Sequence, residues 1–243
     1  MTTRHAVVTG AAGGMGRAIV ARLIADGHRV TGIDLSADGL AEVAAEHGDA
    51  FGAVTADLTD AGAIADAFAA LDPVDTLVNN AGTCLMSDFP DIPADEFDRQ
   101  MAINFASAFH CCQAAVKHML ARKDRDLVCK IVNISSNGAY NFDVFDPPHY
   151  RASKAAMDTL TKDLARRYAS DRIAANSIAP AMTETPLFGV LTQDVLDRAI
   201  AAMPHGRAMQ PSEIAAWVAF LVSPAGDISS GNVIILNQGR DVR

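Results

Sequence analysis

Cysteine is scarce in this 243-residue chain, and its spacing is wrong for metal binding or for a disulfide framework. Cys84, Cys111, Cys112 and Cys129 form no CxxC pair, and the seven histidines form no HExxH. A structural zinc site and a disulfide scaffold are both excluded on that pattern, and the thiols are expected to pack reduced as small hydrophobes. No apolar run approaches the roughly 18 residues that a membrane span requires. No signal-peptide pattern precedes the first strand-like segment, so a cytoplasmic, metal-free protein is expected. Lysine and arginine never cluster into a long run, and 20 of them face 29 acidic residues for a formal charge of −9. That surface repels phosphates and anionic lipid, which argues against nucleic acid or a membrane as partner. The densest basic segment, 120-LARKDR-125, reads as a solvated helix end. There is also no Gly-, Pro- or Ser-rich linker and no repeat, so residues 1–243 are expected to form a single domain.

What is present is alternation. Strand-like segments at 6–10, 29–34, 50–57, 74–80, 128–135, 172–179 and 232–237 are separated by helical patterns. Those patterns fall at 15–27, from Ser36, at 60–71, 95–122, 148–169 and 211–222. Ile19, Val20, Leu23 and Ile24 show the helical spacing, with Gly27 as the stop. Strands joined by helices of this length imply βαβ units. The fold class expected is therefore α/β, a doubly wound seven-stranded parallel sheet with helices on both faces (a Rossmann fold). The stretch 180–210 breaks the rhythm with Pro180, Pro186, Pro204 and Pro211. It follows a late strand, where it could cover the crevice at the carboxyl ends, so 182–210 is expected to be a lid.

The first strand runs into 9-TGAAGGMG-16. Glycines at 10, 14 and 16 allow positive φ and close approach of a ligand to backbone, and the following helix offers free N–H groups to a pyrophosphate. Asp34 ends the second strand, where a carboxylate accepts the adenosine ribose hydroxyls and repels a 2′-phosphate. Positions 13 and 35 hold no cation, so NAD is favoured over NADP. Further on, 150-YRASK-154 lies early in a helix announced by Pro147 and Pro148, and the i,i+4 spacing sets Tyr150 and Lys154 on one face. A neighbouring ammonium is expected to lower the phenol pKa and fit it for proton transfer. Ser136, at the end of the fifth strand, can donate to the substrate oxygen. Ser135 is the alternative, since a pleated strand turns only one of the pair toward the cleft. His149 is set about 100° round the helix from Tyr150 and is expected to pack at the helix start instead of doing acid–base work.

With these residues stand Asp57-Leu58, 79-NNAG-82, Asn104, 133-NISS-136, and Pro180 with Thr185, each at the end of a successive element. In this set and order the chain resembles the short-chain dehydrogenase/reductase family over essentially its whole length. The resemblance implies an NAD-linked oxidoreductase acting on a CH–OH group. Its catalytic residues would be Asn104, Ser136, Tyr150 and Lys154. Its cofactor contacts would come from Gly10, Gly14, Met15, Gly16, Asp34, Leu35, Asp57, Leu58, Asn80, Ala81, Gly82, Tyr150, Lys154, Pro180, Thr183 and Thr185. More specifically, Asp57 would meet the adenine and Asn79 would line the cofactor trough. Thr185 would hold the carboxamide and Lys154 the nicotinamide ribose. Asn104 would kink its helix and relay protons. A homotetramer is implied, with the helices near 95–122 and 148–169 packing across an interface that Ala152, Ala155, Ala156 and Thr159 leave open. The chain departs from the family at Ala181, where Gly is usual, and at 237-NQG-239, where Asp-Gly-Gly is usual.

Leu85, Met86, Phe142, Val144, Phe145, Met182, Leu187, Phe188 and Leu191 are expected to line the substrate pocket. No Arg cluster is apparent, so a neutral, fairly apolar secondary alcohol or ketone is expected, cyclic or aromatic in type. Two other readings stand beside it. One is a reductase of 3-ketoacyl groups carried as acyl-carrier-protein thioesters, disfavoured by Asp34 and the acidic surface. The other is a non-catalytic NAD-sensing or scaffold protein, disfavoured because Ser, Tyr and Lys are all present.

Overall fold

Uninterrupted apolar runs such as 6-AVV-8 and 131-IV-132 suit strands covered on both faces, and that is how they are used. The computed structural model describes residues 3–122, 126–142, 146–190 and 192–241. The strands are β1 (His5–Thr9), β2 (Arg29–Asp34), β3 (Phe51–Thr55), β4 (Thr76–Asn79), β5 (Cys129–Ile134), β6 (Ile173–Pro180) and β7 (Val233–Leu236). They form one parallel sheet in the order β3-β2-β1-β4-β5-β6-β7. Every residue of β1, β4, β5 and β6 is buried, whereas the edge strands β3 and β7 are partly open.

Among the described residues eight helices cover the sheet: α1 (Gly14–Ala25), α2 (Ala37–His47), α3 (Ala61–Ala69), α4 (Ala94–Met101), α5 (Ser107–Leu120), α6 (Pro148–Tyr168), α7 (Gln193–Ala201) and α8 (Pro211–Val222). Successive strand residues point to opposite faces, which divides the core in two. Val8, with Ile19, Leu23, Ile214 and Val218, packs under α1 and α8. Val7, with Ile64, Phe68, Leu77, Cys111 and Met119, packs under α3 and α5. A side chain such as Leu77, fully buried, contributes about 1.5–3 kcal/mol by its removal from water.

The sequence reading placed one helix over 95–122. Here α4 and α5 are separated by a π turn, Ala102–Ala106, with buried Asn104 inside it. The 182–210 stretch is more ordered than proline spacing suggested, since it contains α7. The basic segment is also not simply solvated: Arg122 ion-pairs with buried Asp75, and residues 123–125 lie outside the described residues. Three of the cysteines, Cys111, Cys112 and Cys129, are buried as expected, and Cys84 is half-buried. Among the described residues no helix is long and apolar enough to cross a membrane, and no cluster of His, Cys, Asp or Glu could hold a metal.

Strand order reverses between β1 and β4. Beyond β1 the chain steps outward to β2 and β3, then returns to β4 on the other side of β1. The loops after β1 and β4 therefore diverge to opposite faces and leave a crevice at the carboxyl end of the sheet.

Candidate active site

The first loop of the crevice is built by glycine. Gly10 has φ +64° and its N–H donates to the Ile33 carbonyl at 2.8 Å. A Cβ on Gly16 would lie 1.9 Å from the Gly10 oxygen, so only glycine lets α1 begin this close to β1. Asp34 sits across this loop, with one carboxylate oxygen accepting from the Ala12 N–H at 3.0 Å and the other from the Ser36 N–H at 3.0 Å. Ser36, not Asp34, caps α2 by accepting from Gly39 N–H. Gly10, Gly14, Met15, Gly16, Asp34, Leu35, Asp57, Leu58, Asn80, Ala81, Gly82 and Thr185 line one trough of about 650 Å³. Arg99 and Ile103 join it from α4 and the π turn, unanticipated in sequence. Asp57 accepts from the Thr59 N–H and hydroxyl, which holds its carboxyl below the usual range.

Of the NNAG asparagines, Asn80 and not Asn79 faces the trough. Asn80 donates to the Thr9 and Gly10 carbonyls at 3.0 Å each, pinning the loop after β4 to the glycine loop. Asn79 is buried in the sheet and donates to Asn133 at 2.8 Å, and Asn133 donates in turn to Thr161. The expectation for Asn79 fails because a strand residue points into the sheet layer until the strand ends.

A second cavity, about 180 Å³, opens beside the trough and shares Met15 and Thr185 with it. Ser136, Tyr150, Pro180 and Thr183 line it. The Ser136 side chain hydrogen-bonds Tyr150, and its oxygen also accepts from the Gly138 N–H at 3.0 Å. Ser135 borders the same cavity, but its hydroxyl donates to Asp158 at 2.9 Å. Between the two serines, therefore, it is Ser136 that engages the phenol.

Lys154 is buried one turn below Tyr150, its Nζ 6.0 Å from the phenol ring centroid and donating to the Ile134 carbonyl at 2.9 Å. Burial pushes this ammonium down to about 8, while the nearby Asp158 charge raises it. Tyr150 is pushed well above the ordinary phenol value, first by burial and then by the charge of Asp146, with the Ser136 hydrogen bond opposing. The expected lysine-lowered phenol is not what the surroundings give: loss of hydration dominates, and the ammonium is directed at the Ile134 carbonyl. Asn104 closes the floor. Its Oδ1 accepts from Thr83 N–H at 2.8 Å and its Nδ2 donates to the Thr83 carbonyl and the Ser153 hydroxyl. A Cβ on Gly82 would stand 3.3 Å from both Asn104 Oδ1 and Lys154 Nζ, so glycine brings the two polar groups to one spot.

His149 is buried against Glu96, its Nε2 3.3 Å from the carboxylate, and lines neither cavity. Met86, Met182 and Phe188 line the second cavity as expected, with Val195 and Ala199 of α7. Leu85 does not, and Phe142 is 76% exposed with the Arg151 guanidinium 5.1 Å over its ring. Val144, Phe145 and Leu191 lie outside the described residues, as does the side chain of Leu187. Sequence reading missed three charged groups here, Asp146 and Arg240 in the cavity wall and Asp158 beneath it. Asp158 follows Lys154 by one helical turn and was legible in that spacing, whereas nothing local marks Asp146 and Arg240, which meet only in the fold.

The family model for short chain dehydrogenases matches residues 4–196. The chain belongs to the short-chain dehydrogenase family. It is similar to the 2-(R)-hydroxypropyl-CoM dehydrogenase of Xanthobacter autotrophicus, 32% identical and covering 97% of each chain. It is 34% identical to a 2-dehydro-3-deoxy-L-rhamnonate dehydrogenase (NAD(+)) of Sphingomonas sp., covering 98% of this chain and 95% of the relative. Among solved structures, a 3-ketoacyl-(acyl-carrier-protein) reductase from Brucella melitensis complexed with NADH superposes with a TM-score of 0.91. That pair is 27% identical, over 98% of both chains. The protein is thus an oxidoreductase of a family that binds nicotinamide cofactors, and the glycine cradle with Asp34 fits such a dinucleotide.

Gly16→Ala tests the cradle. The added methyl has no room beside Gly10, so NADH binding, read by fluorescence titration, should weaken by more than about tenfold. Wild-type affinity in the folded variant would place the dinucleotide elsewhere.

Proposed function

We propose that the protein transfers hydride between NAD(H) and a secondary alcohol or ketone, with Tyr150 as general acid and base. The observation that carries this reading is the convergence of Ser136 and Tyr150 in one cavity wall, with Lys154 beneath them and the Asp34 trough adjoining. When bound, the dinucleotide supplies the hydride acceptor or donor. Tyr150 takes the hydroxyl proton of the alcohol, or returns it to the oxygen of a ketone. Ser136 donates to the same oxygen and stabilises the charge that grows there. Lys154 holds positive charge below the phenol and Asn104 orders the floor for proton passage. Asp57 meets the adenine, Pro180 and Thr183 flank the nicotinamide end, and Thr185 holds the carboxamide.

NAD is favoured because Asp34 opposes a 2′-phosphate. The nearby Arg17 is already engaged by the Ala12 and Gly39 carbonyls and by Glu42 and Glu46. The relative from Sphingomonas carries NAD(+) in its name. A 3-ketoacyl thioester reductase remains the second reading, on the strength of the Brucella likeness. The small cavity admits only the acyl end of such a substrate, below the roughly 300 Å³ of an ordinary ligand pocket. A non-catalytic sensor finds no support in a site that keeps Ser136, Tyr150 and Lys154. Residues 182–210 serve as the lid, since Met182, Phe188, Val195 and Ala199 form a wall of the substrate cavity.

The decisive assay is NADH formation over a panel of secondary alcohols, with NADP in parallel. Turnover with NAD should exceed that with NADP, and Tyr150→Phe should abolish it while dinucleotide binding persists. A Tyr150→Phe variant with wild-type turnover would end this reading.

The pH profile offers a second test. The Asp146 charge raises the Tyr150 pKa, so Asp146→Asn should lower it. The acidic limb of kcat/KM for alcohol oxidation should then move to lower pH, by about one unit. An unmoved limb would show that Asp146 does not act on the phenol.

A homotetramer belongs to the same reading. Ala152, Ala155 and Thr159 stand exposed along α6, and Phe97 and Phe109 stand exposed on α4 and α5, an apolar face suited to pairing. Light scattering after size exclusion should give four times the 25.6 kDa chain mass, and a monomer at all concentrations would refute it.

A further inference from the structure

The C-terminal turn is anchored at two ends. Asp241 accepts from the Asn137 and Asn141 side-chain amides at 3.2 and 2.7 Å, tying the tail to the segment after β5. Gln238 accepts from the His205 N–H at 2.9 Å and donates to the Arg207 carbonyl at 3.1 Å, tying it to the end of the 182–210 stretch. Gln238 adopts φ +60°, a left-handed conformation that costs a non-glycine residue free energy, and Asn237 Oδ1 caps the turn at Gly239. Here the family's usual glycine is replaced by a side chain that makes both lid contacts.

Between these anchors Arg240 turns into the substrate cavity. Its side chain is only 15% exposed, and among the described residues it makes no hydrogen bond. The nearest carboxylate, Asp241, stands 4.0 Å away with its nearer oxygen already accepting from two amides. The other charge in the wall, Asp146, feels the positive charge of Arg240 but also that of Arg151. Arg151 in turn is held by the backbone carbonyls of Asp146 and Asn141. Arg151 is thus committed to the wall, whereas the planar donor fork of Arg240 faces the cavity with its hydrogens unspent. A half-buried guanidinium lacking acceptors is satisfied best by a carboxylate, which it binds through two parallel N–H bonds.

We propose that Arg240 is a specificity residue that binds an anionic group of the substrate, so that the physiological alcohol or ketone is a short hydroxy- or oxo-carboxylate. The proposal rests on the dehydrogenase reading of the same cavity, and it replaces the neutral substrate that the sequence suggested. A single guanidinium balances one carboxylate. A phosphate monoester, with about two charges, would be repelled by Asp146 in so small a space.

The test compares short 2- and 3-hydroxycarboxylates with their methyl esters as substrates with NAD. It uses the wild type, Arg240→Met and Arg240→Lys. The wild type should favour the acids over the esters by about 10–100-fold in kcat/KM, mainly through KM. In Arg240→Met the ratio should fall toward one, and Arg240→Lys should lie between. A turnover-free readout is the binding of propionate, a short monocarboxylate, to the protein by calorimetry, expected to weaken at least about tenfold in Arg240→Met. Esters used as well as acids by the wild type, or a ratio unchanged in Arg240→Met, would overturn the proposal and leave the dehydrogenase reading standing. So would a variant that moves only the pH profile, for then Arg240 serves only to balance Asp146. Should no alcohol be oxidised while propionate binding still depends on Arg240, the dehydrogenase reading falls and the anion site stands. Should Arg240→Met fail to fold, Arg240→Lys and the wild-type acid-to-ester ratio decide.

Discussion

Burial of a phenol next to an amine is the constraint on which this site turns. Each group loses hydration in the cleft wall, and the loss favours the neutral form of both: Tyr150 is pushed up and Lys154 down to about 8. Burial thus carries the phenol away from neutrality and the amine toward it. The surroundings act against that drift at separate points. Asp158 supports positive charge on Lys154 from below and is itself held by the hydroxyls of Ser135 and Tyr140, at 2.9 and 2.8 Å. Ser136 supports negative charge on Tyr150 from the side. The paired serines of the fifth strand therefore divide the work, one facing the phenol and the other serving the carboxylate under the amine.

The sheet makes this division possible. β5 ends at Ile134, so the next two residues leave the pleat in different directions while the Ile134 carbonyl still points at Lys154 Nζ. Asn104 needs the π turn for a similar reason. A regular helix would carry its amide past the Thr83 backbone, and the extra residue in the turn lets it both accept from and donate to Thr83.

Periodicity and glycine placement were enough to read the sheet, most of the helices and the glycine loop at 10–16, whereas the trough from Asp57 to Gly82 was implied by the family resemblance. The former rest on contacts within βαβ units, where local spacing carries the geometry. The π turn escaped because the apolar pattern runs through 95–122 without a break. Asn79 was misplaced because adjacent residues at a strand end face opposite ways, and only the register shows which of them has left the sheet. Arg122 looked solvated beside Lys123 until the fold brought Asp75 to it. Asp146 and Arg240 were illegible for the strongest reason: they stand almost a hundred residues apart, and neither belongs to a motif.

The family departures near the C-terminus then acquire a physical meaning. Glycine at position 238 would adopt the left-handed turn without strain but would offer no side chain to the 182–210 segment. Glutamine accepts that strain, on the order of 1 kcal/mol, and recovers two hydrogen bonds to His205 and Arg207. The same turn fixes the tail to Asn137 and Asn141, beside Ser136. The end of the 182–210 segment is thereby linked through the tail to the cavity wall that carries Ser136. Met15 and Thr185, shared by both cavities, join that wall to the trough. Arg240 stands between the two anchors, so its place in the cavity wall depends on both of them.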